Sequence, residues 1–78
     1  LENELIRLYN KALGKLPAEF RESYELNRKY HLTHKEIAEK LKVSPQTINY
    51  RISQALKILR IELKDYLPLL LLLYNFRL

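Results

Sequence analysis

THKEIAEKLKVSPQTINYRISQ, Thr33 to Gln54, announces two helix starts eleven residues apart. Thr33-His34-Lys35-Glu36 is a capping box. Its Thr33 hydroxyl can accept the N–H of Glu36 while the Glu36 carboxylate returns to the N–H of Thr33. Leu32 and Ile37 flank it as a hydrophobic staple. Ser44 then caps again, Pro45 stands at the first helical position, where its missing N–H costs nothing, and Val43 with Ile48 repeats the staple. Between the starts, Ile37, Ala38 and Leu41 make one apolar face, and the small Ala38 lets a second helix cross close over it. Two short-linked helices of this kind form a helix-turn-helix.

After Ser44 the apolar residues Ile48, Ile52, Ala55, Leu56, Leu59, Leu63 and Tyr66 step by three and four, which keeps them on one side of a long helix. Gln46, Tyr50, Ser53, Gln54 and Lys57 point the other way, with Thr47 and Asn49 on the shoulders and Arg51 near the rim. No acidic residue lies from Val43 through Ile61. An ordinary solvated helix mixes Glu with Lys. This one offers amides, hydroxyls and a phenol near its start and bare cations further along. Asn and Gln amides pair with adenine edges, Ser and Thr donate or accept, and a Tyr ring can touch a thymine methyl. Arg51, Lys57 and Ser44, with the N–H groups at both helix starts, are placed to hold phosphates and fix register.

The chain of 78 residues carries a net charge of +5, and most of it is local. Residues 31–64 hold seven cations against three acids, a balance of +4, whereas the first thirty residues are nearly neutral. The asymmetry suits a phosphate-facing half joined to a half that packs. The size leaves no room for an enzyme cleft. There is no cysteine and a single glycine, Gly14, so disulfides, thiolate chemistry and a glycine-rich phosphate loop are excluded. His31 and His34 have no Cys or further His to complete a metal site. No nucleophile stands with a matching base, and no cofactor is expected. The absence of cysteine fits a reducing cytoplasm. The chain starts at Leu1 without a methionine or a signal peptide, as expected of a segment from a longer protein.

Outward from the central pair, residues 2–13 read as a first helix with Leu5, Ile6, Leu8, Tyr9, Ala12 and Leu13 inward and Gly14 as its stop. Pro17 begins a second, with Glu19 and Glu22 near its positive end. Phe20, Tyr24 and either Leu26 or Tyr30 supply its core contacts. The fourth helix is expected to run to about Asp65, with only its first half in a groove. Pro68 interrupts it. The apolar residues beyond are too few to span a membrane, which takes about 20; they must fold back on the core or meet another copy, as in a homodimer, or the rest of a parent protein. The expected organisation is all-α: a four-helix domain over residues 1–67 containing a helix-turn-helix, and an apolar C-terminal tail over residues 68–78.

Leu16-Pro17, Arg21, Leu26, Leu32-Thr33, Lys35-Glu36-Ile37-Ala38-Glu39, Leu41, Val43-Ser44, Thr47-Ile48, Ala55-Leu56-Lys57 and Leu59-Arg60 occur in the order found in region 4 of bacterial sigma factors. Over about residues 5–65 the chain resembles that region in the extracytoplasmic-function group of the sigma-70 family. The resemblance implies a module that docks its fourth helix in the major groove of the promoter −35 element. Asn49, Tyr50, Ser53 and Gln54 fall where such domains read bases. Ser44, Thr47 and Arg51 fall where they hold phosphates, as do Thr33 and Lys35. It also implies partners: RNA polymerase core through its β-flap and, often, an anti-sigma factor. Two departures stand out. Lys42 occupies a turn where glycine is frequent, so a left-handed backbone there carries a modest cost. Asn49 and Gln54 stand where some members have Arg, which implies a different −35 sequence. A LuxR-type helix-turn-helix regulator is the nearest rival, although the helix before Leu16-Pro17 argues against it. A helical interaction module working through the Leu-rich tail is the rival from another class.

Overall fold

The computed structural model describes residues 2–66, whose regular structure is all helical, with α1 at Glu2–Leu13, α2 at Ala18–Arg28, α3 at His34–Leu41 and α4 at Pro45–Glu62. A 3₁₀ turn, Lys64–Tyr66, follows α4. The expected tail over residues 68–78 lies outside the described residues.

Local chemistry explains the two central helix starts. The Glu36 N–H donates to Thr33 Oγ1 at 3.1 Å, and the Thr33 N–H donates to Glu36 Oε1 at 2.9 Å. At α4 the Thr47 N–H donates to Ser44 Oγ at 3.1 Å, and Pro45 begins the helix. Leu32 and Val43 are half-buried against Ile37 and Ile48, as two staples require.

Left-handed backbone falls where no glycine stands. His31 has φ 60° and Lys42 has φ 59°, whereas Gly14 does not adopt a positive φ. At Lys42 the turn closes through its own N–H to Ala38 O and through the Val43 N–H to Ala38 O at 3.0 Å. At His31 the reversal after α2 is held by the Leu32 N–H to Leu26 O at 3.1 Å and by Asn27 Nδ2 to Leu32 O at 2.8 Å. The bonds to Ala38 O and Leu26 O satisfy carbonyls that a helix end otherwise leaves unpaired.

Helix α4 is the spine. Ile48 and Ile52 in its first half join Ile37 and Ala38 of α3 in one core cluster. In its second half Ala55 and Leu59, followed by Leu63, join Ala12, Leu13, Leu16 and Tyr24 in another. The most extensive helix-helix contact is between α2 and α4. Tyr9 and Tyr24 share a hydrogen bond between their hydroxyls, tying α1 to α2. Ser23 is the exception in this interior: it is fully buried, and its hydroxyl meets no hydrogen-bond partner.

The structure corrects three details of the sequence reading and decides a fourth. Helix α4 ends at Glu62, three residues before Asp65, because the chain tightens into the 3₁₀ turn with the Tyr66 N–H on Leu63 O at 2.8 Å. Leu56 and Tyr66 are exposed. The buried arc of α4 is narrow, and it extends towards Ile58, which packs against the second cluster. Ile6, read as inward-facing, is exposed on α1. Of the two candidates at the end of α2, Leu26 packs inward and Tyr30 stays outside at 59% exposure, with Lys29 Nζ 5.6 Å from its ring centroid.

Candidate nucleic-acid interface

Burial of Ile48, Ile52, Ala55 and Leu59 turns the opposite side of α4 to solvent. Gln46, Asn49, Tyr50, Ser53 and Lys57 are all exposed there, and Gln54 is half-buried at the edge. The five residues suggested as base readers therefore share one side of one helix. An 18-residue helix is about 27 Å long, so these groups occupy its first two to three turns.

The surrounding charge favours an anionic partner. No acidic residue stands in the first turn of α4, where the helix dipole presents its positive end. Glu62, at the far end, is matched by Lys15 Nζ at 2.8 Å. Lys57 and Arg60 are exposed between these ends.

The suggested phosphate ligands divide into three groups. Lys35 and Lys57 are exposed cations. Thr33 and Ser44 work first as helix caps, and Thr47 is the residue that Ser44 caps. The Thr33 hydroxyl and N–H are both engaged with Glu36, and Ser44 Oγ lies 2.9 Å from Thr47 Oγ1 besides accepting the Thr47 N–H. The two helix starts consequently differ. The Glu36 carboxylate occupies the N-terminus of α3, whereas at α4 the neutral Ser44 caps and the N–H of Gln46 has no intrahelical acceptor. Arg51 stands apart: its side chain is only 17% exposed, and its Nη2 lies 3.8 Å from Glu19 Oε2.

The sequence reading missed the start of α2 as a neighbour of this face. Phe20 packs on the core as expected, and in addition Glu19 reaches Arg51 and the Phe20 and Tyr50 rings stand T-shaped with centroids 6.0 Å apart. No local pattern carries such a contact between residues thirty apart in sequence.

A family model, described as sigma-70, region 4, matches residues 6–59. The chain belongs to that family. Among curated proteins and among solved structures, none matches at a significant level. The matched span runs from α1 into the second half of α4 and takes in the whole helix-turn-helix. Region 4 is a DNA-binding part of a sigma factor, not an enzyme family, and it engages promoter DNA and RNA polymerase. Membership so favours the sigma reading over the LuxR-type one. Among the described residues of this region 4, no group of three His, Cys, Asp or Glu side chains could hold a metal ion, and no helix is long and apolar enough to cross a membrane.

Proposed function

We propose that this region 4 recognises the −35 element as part of an extracytoplasmic-function sigma factor, by laying the first turns of α4 in the major groove. One observation carries the reading: the exposed side of α4 collects Gln46, Asn49, Tyr50, Ser53 and Gln54 on a helix that has no acidic residue of its own before Glu62. Asn49 and Gln54 carry amides that suit adenine, and Gln46, Tyr50 and Ser53 complete the base-facing set. Lys57, Lys35, Arg51 and the capped helix starts at Thr33 and at Ser44 and Thr47 fix the duplex backbone. The β-flap is the proposed polymerase contact and an anti-sigma factor the proposed regulator, acting in the cytoplasm.

Selection of bound duplexes from a random pool tests the reading. Enrichment of one short motif supports it, as does open-complex formation on that motif only with polymerase core added. A pool that stays random after selection overturns it.

A further inference from the structure

Two consecutive residues of α2 meet two consecutive residues of α4. The Phe20 and Tyr50 rings stand with centroids 6.0 Å apart and planes at 84°, and Glu19 Oε2 lies 3.8 Å from Arg51 Nη2. The contacts differ in character. At 3.8 Å the Glu19 contact is too long for a hydrogen bond, and Glu19 itself is 74% exposed. Phe20 is half-buried and packs against the cluster that contains Tyr24, Ala55 and Leu59, so its ring is a fixed wall.

Tyr50 is 57% exposed. A tyrosine so exposed on a helix exchanges between staggered rotamers unless a neighbour selects one. An edge-to-face contact selects, because the positive ring edge seeks the negative face of its partner. A ring oriented before binding loses less freedom on entering a groove.

We propose that Phe20 is a positioning residue for DNA reading, which acts through Tyr50 by fixing the orientation in which that ring meets its base step. The proposal rests on Tyr50 being a base-facing group. It makes sequence preference depend on α2, outside the helix-turn-helix, so that relatives with the same α4 face and no aromatic ring at position 20 read different motifs.

The test compares the 78-residue chain with Phe20→Leu, Phe20→Met, Phe20→Tyr and Tyr50→Ala, each at a temperature where circular dichroism shows it fully folded. Duplex selection should show that Phe20→Leu and Phe20→Met change preference at the base pairs that Tyr50→Ala changes. The change should be roughly two- to tenfold, the range an edge-to-face contact supplies. Phe20→Tyr, which keeps the ring, should retain the original preference, and Phe20→Leu added to Tyr50→Ala should change nothing more. Weakening of all duplexes alike by Phe20→Leu and Phe20→Met, or an effect that persists without Tyr50, would overturn the proposal. Proton NMR of the protein without DNA isolates the positioning step. Loss of the Phe20 ring should move the Tyr50 Hα–Hβ couplings towards rotamer-averaged values, and unchanged couplings overturn positioning while leaving the base-facing reading intact. Identical preferences for Tyr50→Ala and the unaltered chain would instead remove the base-facing role, and the proposal with it.

Discussion

Thr33 and Glu36 satisfy each other twice: the Thr33 hydroxyl accepts the Glu36 N–H, and the Glu36 carboxylate accepts the Thr33 N–H. These two bonds fix where α3 begins, and so the angle at which Ile37 and Ala38 meet α4. Thr33→Ala should destabilise the protein by about 1 kcal/mol, the usual cost of losing a hydroxyl cap. Because the cap works in the free protein, urea melts without DNA read the loss. An unchanged midpoint would contradict the reciprocal cap.

Lys42 turns the chain between α3 and α4 at φ 59° and ψ 45°. A side chain at such angles costs roughly 1–2 kcal/mol that glycine does not incur, offset by the larger chain entropy that glycine loses. Lys42→Gly should therefore raise stability by roughly 0.5–1 kcal/mol. Lys42→Ala, which keeps the strain, should not. Equal melting temperatures for the two variants would show that the turn is relaxed at Lys42.

Much of this architecture was legible because its signals are local. The caps at Thr33 and Ser44 and the staples through Leu32 and Val43 each lie within a few residues of what they control, whereas the left-handed turn at Lys42 follows only from the family resemblance. What was missed depends on distant parts of the chain. The period of α4 placed Leu56 with the buried residues, but the arc that α1, α2 and α3 cover leaves it out and takes in Ile58. His31 gave no hint of its left-handed backbone, which Asn27 and Leu26 impose from the end of α2. The exposed face of α4 followed from the wheel. Its support by Glu19 and Phe20 could not, since the packing of α2 on α4 creates it.

Ser23 buries a hydroxyl without a partner in the interior of α2. Leaving such a group unsatisfied costs on the order of 1–3 kcal/mol, and alanine removes it with little change of shape. Ser23→Ala should thus raise the melting temperature, with a gain of about 1 kcal/mol after allowance for the contacts of the lost oxygen. A lower melting temperature would mean that the hydroxyl finds a partner in solution.

Cations that meet phosphate alone should weaken binding without changing what is read. Lys57→Ala is expected to lower affinity for all duplexes alike and to flatten the dependence of log affinity on log salt by about 0.9, one phosphate's worth. Arg51→Ala should behave similarly but with a smaller change in slope, since Glu19 already lies near the guanidinium. Altered base preference with an unaltered slope in either variant would contradict a phosphate role.

The most direct test of the account is the affinity of Asn49→Ala and Gln54→Ala for the selected duplex and for random duplexes, measured at one salt concentration. If the α4 face reads bases, each variant loses roughly 1–3 kcal/mol on the selected duplex, little on random ones, and its preference at one or two base pairs. Equal losses on selected and random DNA would contradict base reading by α4.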